Sequence, residues 1–175
     1  MGYMTKYAAF LRGVNVGGVN IKMADVAKAL QQAGFSNVRT ILASGNVLLE
    51  SPAKVAGVRV KCEATLREAF GYDAWVLAYD VDTVRKISDR YPFEREVPDH
   101  HSYVTFVSDP DVLDELAALE PGPGETIARG DGVIYWQVAR SKTLDSAMGK
   151  TMGKKRYKSS TTTRNLRTLD KVLRG

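Results

Sequence analysis

Apolar positions along this chain change period from two to about 3.6 and back again, in an order that repeats. Thr5 to Arg12 is almost continuously apolar, with Tyr7, Ala9 and Leu11 alternating against Ala8 and Phe10, the pattern of a central strand covered on at least one face. Met23, Val26, Ala27 and Leu30 then recur at helical spacing, with Asp25 in the first turn and Gly34 as a stop. Val38 to Leu42 and Val47 to Glu50 are aliphatic or β-branched runs separated by Ala43-Ser44-Gly45-Asn46. Because Gly and Asn tolerate positive φ, this predicts a hairpin. Val55, Val58, Cys62 and Leu66 place a helix over Lys54 to Phe70, and Ala74 to Tyr79 is extended again.

The first half therefore reads βαββαβ, the order of the split βαβ unit. A connecting helix from Val81 to Tyr91 and a charged stretch to Pro98 follow, and then the pattern restarts. Ser102 to Val107 is a strand and Asp111 to Leu119 a helix. Glu125 to Arg129 and Val133 to Val138 form a hairpin around Gly130-Asp131-Gly132. Leu144, Met148 and Met152 point to a further helix, interrupted by Gly149 and Gly153, so the second half reads βαββα without a clear final strand. Leu166, Leu169 and Leu173 mark one face of a last helix, opposite Arg164, Arg167, Lys171 and Arg174, with Thr162 or Thr163 as N-cap. The fold class expected is α+β: two ferredoxin-like (α/β-plait) split βαβ units in tandem, the second less complete, plus a C-terminal amphipathic helix. The expected segmentation is a first unit over residues 1–80, a connecting helix and linker over 81–100, and a second unit with a basic C-terminal extension over 101–175.

A hydrophobic share of 44% in 175 residues is enough for a buried core and excludes a disordered chain. No run approaches the roughly 20 apolar residues of a membrane span, and the N-terminus has no signal-peptide apolar region, so the expected location is cytoplasmic. Cys62 is the single cysteine and lies on the apolar stripe of its helix, which reads as a core thiol. His100 and His101 have no Cys or His at ligand spacing, so no metal is expected. Charge is more informative. Residues 140–175 carry eleven Lys or Arg against two Asp, while residues 1–139 are net acidic, so the formal +5 hides a strongly basic end. Lys154, Lys155, Arg156, Lys158, Arg164, Asn165 and Arg167 become candidate contacts for an anion or nucleic acid, against the competing reading of a solvated face.

The other candidate site interrupts the first strand pattern just before a helix. Arg12 to Asn20 holds three glycines and two asparagines but no general base, nucleophile or metal-ligand set, so it marks a site without defining its chemistry. In a split βαβ sheet this exit lies at the same edge as the turn after the second strand. Arg12, Asn15, Gly17, Gly18, Asn20, Ser44, Gly45 and Asn46 would then surround one anion near a helix N-terminus. The alternative is that the asparagines only cap turns. Gly18 is followed by Val19 and Asn20 where a Walker loop needs Lys and Ser or Thr, and the glycine spacing is not the dinucleotide fingerprint. An RNA-recognition sheet needs exposed aromatics on both central strands, and Asn46-Val47-Leu48-Leu49-Glu50 has none. Tyr135 and Trp136 are adjacent, face opposite sides of a strand, and leave at least one in the core.

Ala9-Phe10-Leu11-Arg12-Gly13-Val14-Asn15-Val16-Gly17-Gly18, Lys22-Met23, Gly34-Phe35, Ser44-Gly45-Asn46-Val47 and Thr162-Thr163-Arg164-Asn165 together resemble the bacterial family known as domain of unknown function 1697. The resemblance covers nearly the whole chain and implies two ferredoxin-like units, while the family name assigns neither activity nor ligand. Where the family pattern has Trp-Asn after the late Arg-Asn pair, this chain has Leu166-Arg167, exchanging an aromatic anchor for aliphatic packing and a charge. The function expected is binding of an anionic or phosphorylated ligand, with nucleic acid the largest subclass. The alternative is an enzyme acting on a small anionic substrate. The sequence assigns no cofactor.

Overall fold

A computed structural model describes residues 3–12 and 20–175. The first half runs β1 (Thr5–Arg12), α1 (Met23–Gln32), β2 (Ser36–Ile41), β3 (Asn46–Ser51), α2 (Val55–Phe70), β4 (Trp75–Asp80) and α3 (Val81–Asp89). Its strands form one antiparallel sheet in the order β2-β3-β1-β4. The period-two alternation of β1 sends Tyr7, Ala9 and Leu11 into a core with Val26 and Leu30 of α1 and Val58, Cys62 and Leu66 of α2. Burying each of the larger aliphatic side chains contributes about 1.5 to 3 kcal/mol before conformational entropy is subtracted. α2 ends where Gly71 turns left-handed at φ 64 and donates its N–H to the Arg67 carbonyl, and Gly34 at φ 105 follows α1.

The second half contains β5 (His100–Val107), α4 (Pro110–Ala117), β6 (Glu125–Arg129), β7 (Val133–Ala139), a 3₁₀ segment (Arg140–Asp145), α5 (Ala147–Met152), β8 (Thr161–Asn165) and α6 (Leu166–Arg174). A second antiparallel sheet has the order β6-β7-β5-β8, matching the first strand for strand. The expectation of a less complete second half is thereby corrected, because β8 supplies its final strand. Thr161-Thr162-Thr163-Arg164-Asn165 lacks aliphatic alternation, but β-branched threonines suit a strand, and the Thr163 hydroxyl lies 2.7 Å from that of Thr105 on β5. The repeat extends to detail: Leu11 N–H donates to the Gly45 carbonyl at 2.8 Å, and Val107 N–H donates to the Gly132 carbonyl at 2.9 Å.

α5 forms despite its glycine for a local reason. A Cβ on Gly149 would stand 2.2 Å from the Thr143 carbonyl oxygen, so the close approach of the preceding 3₁₀ segment requires a residue without a side chain. The chain divides into two compact units, residues 1–85 with 171–175, and residues 86–170. This differs from the expected segmentation at both ends. Residues 86–100 belong with the second unit, where the Tyr91 hydroxyl donates to the Trp136 carbonyl at 3.0 Å. Residues 171–175 belong with the first, where Lys6 and Arg39 donate to the Gly175 carbonyl at 3.0 and 3.2 Å.

Candidate functional site

At the loop edge of the first unit, β1 ends at Arg12, which is half-buried, and burial pushes its guanidinium pKa down. The turn beside it is held from within. Asn46 is 1% exposed and donates its amide hydrogens to the Ile41 carbonyl at 2.8 Å and the Ser44 hydroxyl at 2.9 Å, so both serve the turn. Gly45 is required twice over, by its φ of 90° and because a Cβ there would lie 2.9 Å from the Leu11 Cβ. Ser44 and Asn20 are exposed. Asn15, Gly17 and Gly18 fall outside the described residues. Residues 13–22 join β1 to α1 here, whereas Ser108 and Asp109 alone join β5 to α4 in the second unit.

The basic C-terminal region separates into residues with different roles. Lys154, Lys155 and Lys158 are exposed. Arg156 is engaged by Glu115, with Nη2 2.6 Å from Oε2 and Nε 3.1 Å from Oε1, which raises its pKa. Arg164 overturns its expected placement on the exposed face of the last helix. It lies on β8 opposite Val104, is 7% exposed, and donates to the Thr162 hydroxyl at 2.7 Å and the Thr163 carbonyl at 2.8 Å. A buried guanidinium held in this way is not an available nucleic-acid contact. The cap of α6 is Asn165 rather than Thr162 or Thr163, its Oδ1 accepting the Thr168 N–H at 2.8 Å. Arg167 is exposed and meets Glu96 loosely at 3.9 Å. Tyr135 and Trp136 are both buried, which removes them as a base-stacking surface.

The second unit also contains a cleft of about 610 Å³ where the start of β5, the residue after β7 and the N-terminus of α6 converge. Its wall includes His101, Arg140, Asn165 and Arg167. Arg140 is anchored by its backbone N–H, which donates to the Asp99 carbonyl at 2.8 Å, and its side chain has no carboxylate partner among the described residues. Arg95 has a structural role: its guanidinium donates to the Ser88 carbonyl at 2.6 Å, the Ser88 hydroxyl at 2.9 Å and Asp170 at 3.2 Å. Burial first, and then the positive charges of Arg140 and Arg167, push the His101 pKa down. Arg140 and Arg167 thus bring positive charge to this imidazole, in a cleft whose lining also carries Glu96, Asp99 and Asp170.

The α6 terminus adds to that potential. In the first unit the corresponding β4–α3 junction is capped by Asp80, whose two oxygens accept the Thr83 N–H and hydroxyl, each at 2.8 Å. A carboxylate offsets the positive helix end there, whereas the neutral Asn165 amide does not do so at α6. In linear order His101, Arg140 and Arg167 are far apart. They become neighbours through the register pairing His100 with Ala139 and Tyr103 with Asn165. The signal in sequence is the late Arg-Asn pair, once Asn165 is recognised as ending a strand and capping a helix.

Fold and cleft define an α+β protein of two four-stranded antiparallel units, one of which has a cleft lined by arginines and carboxylates at a helix N-terminus. Residues 4–135 match the family described as "Protein of unknown function (DUF1697)", and the chain belongs to that family. Among solved structures, the conserved bacterial protein SP0830 from Streptococcus pneumoniae is similar in fold. It has 23% sequence identity and a TM-score of 0.81, over 98% of each chain. No curated protein matches significantly. Among the described residues no helix is long and apolar enough to cross a membrane, and no group of three or more His, Cys, Asp or Glu could hold a metal ion.

Proposed function

We propose that the protein binds a small anionic ligand, a carboxylate or phosphate ester, in the cleft of its second unit. The observation that carries this reading is the meeting of Arg140, Arg167 and His101 at the neutrally capped N-terminus of α6. The cleft volume lies within the range of small-molecule sites. The strand orders β2-β3-β1-β4 and β6-β7-β5-β8 support reading both units as ferredoxin-like plaits, with the ligand at one end of the second sheet. Nucleic acid has less support than a small anion, since Arg164 is buried and Arg156 is paired with Glu115.

The test is calorimetric titration of inorganic phosphate and propyl phosphate into the full chain at low ionic strength. Arg140→Gln should weaken binding about tenfold, the effect of losing one charge-assisted contact. Asn165→Asp should keep the helix cap and the thermal stability while placing a resident negative charge at the site, and so also weaken binding. Binding unchanged in both variants, or absent in the unaltered protein, would reject the cleft. The loop edge of the first unit is a second anion candidate, supported by half-buried Arg12 at the long β1–α1 connection. Loss of phosphate binding in Arg12→Ala, with retention in Arg140→Gln, would favour it.

A further inference from the structure

We infer that the ligand of this cleft is zwitterionic, carrying an anionic group for Arg140 and Arg167 and an ammonium group for Asp99 on one short skeleton. The inference rests on the anion reading above and goes further by assigning the other end of the ligand. Its starting point is charge balance. The cleft lining contains three arginines, Arg95, Arg140 and Arg167, and three carboxylates, Glu96, Asp99 and Asp170. A site for a simple anion would carry an excess of positive charge.

Two of the carboxylates have partners. Asp170 meets Arg95 at 3.2 Å, within the bonds that also fix Ser88, and Glu96 meets Arg167 at 3.9 Å. Asp99 is different, because its carboxylate has no hydrogen bond or ion pair among the described residues. Its backbone is joined to that of Arg140 by a 2.8 Å hydrogen bond, yet the two side chains form no ion pair. Opposite charges on adjacent backbones are thus left without mutual neutralisation on one wall. A ligand spanning them would satisfy both, and a volume of about 610 Å³ leaves room for the connecting skeleton. A simple anion would gain the arginines and gain nothing from Asp99.

Phosphoethanolamine and propyl phosphate provide matched probes, since they differ in having an ammonium or a methyl group at the same position. Calorimetric titration into the full chain near neutral pH and at low ionic strength should show phosphoethanolamine binding about fivefold tighter. That is the upper range for an ion pair made at an exposed carboxylate. Asp99→Asn should bring the ratio close to one while leaving propyl phosphate affinity within about twofold, because Asp99 contributes no contact to the fold through its side chain. A ratio below about twofold in the unaltered protein, or a ratio that survives Asp99→Asn, would overturn the zwitterion inference while leaving the anion site in place. If neither probe binds, both readings fail.

Discussion

Replacing Glu125 with Ala should destabilise the second unit severely although the residue lies on a short edge strand. The residue is 7% exposed, and its carboxylate accepts three backbone N–H groups. Gly122 at 2.8 Å and Ala147 at 2.9 Å donate to Oε1, and Met148 at 3.1 Å donates to Oε2. Ala147 and Met148 begin α5, so the chain supplies its own anion to this helix end. Hydrogen bonds to a charged group contribute about 1.5 to 3 kcal/mol each, and donors stranded without an acceptor cost about 1 to 3 kcal/mol. Allowing water to re-solvate part of the site, the net loss is roughly 4 to 6 kcal/mol, comparable to the total stability of a small domain. Glu125→Gln keeps one acceptor oxygen, enough for the two donors on Oε1, and faces the third with an amide NH₂. Its loss should be about half as large.

Urea unfolding followed by Trp136 fluorescence would measure this effect, in a Trp75→Phe background so that the signal comes from the second unit. The order of midpoints should be unaltered, then Glu125→Gln, then Glu125→Ala, with similar slopes. A loss under about 1 kcal/mol for Glu125→Ala would refute the reasoning, since the three donors would then have found other acceptors at little cost.

Gly45→Ala should cost about 1 to 3 kcal/mol in the first unit, because it combines a positive φ with a Cβ 2.9 Å from that of Leu11; a neutral urea midpoint would contradict the close approach. Cys62, fully buried with its thiol pushed up to about 12, should resist iodoacetamide near pH 8 and react only on unfolding, so rapid native labelling would count against the packing of α2. The His101 pKa is lowered from 6.5, so in the window between its folded value and 6.5 the unfolded chain binds the extra proton. Stability should therefore fall as pH drops through that window, and His101→Gln should flatten the dependence. Phosphate in the cleft should raise the pKa in an NMR titration, and an unchanged value with phosphate bound would separate His101 from the anion.

Periodicity revealed β1 and α1 through β4 because their apolar residues face a common core. It failed at β8 because a strand of three threonines, an arginine and an asparagine has no hydrophobic alternation; its side chains form polar contacts instead, Thr163 with Thr105, Thr161 with the Tyr157 carbonyl and Arg164 with Thr162. Without β8, the charge pattern puts Arg164 on a helix face and the N-terminus of α6 at Thr162 or Thr163, whereas Arg164 lies on β8 and Asn165 caps α6. The same omission hid the cleft, since the pairing of β8 with β5 brings Asn165 and Arg167 towards His101. Charge counting found the basic end of the chain, but charge alone does not distinguish the buried guanidinium of Arg164 and the paired one of Arg156 from the exposed ammonium groups of Lys154, Lys155 and Lys158.

The two units place one topology under different local chemistry. Each strand that closes its sheet leads directly into a helix, and each helix is capped by the last residue of that strand, Asp80 before α3 and Asn165 before α6. Both caps satisfy a backbone donor, so either residue serves the fold. They differ by one charge. At β4–α3 the carboxylate is resident, and the helix end is already matched by an anion. At β8–α6 the amide does the same structural work without a charge, and Arg140, Arg167 and His101 gather around a positive end that no cap carboxylate offsets. Stability alone would favour a carboxylate in both places. On the proposed reading the negative charge arrives with a ligand, which makes an amide at Asn165 advantageous, and Asp99 in the same cleft would select among anions for one that brings its own positive group.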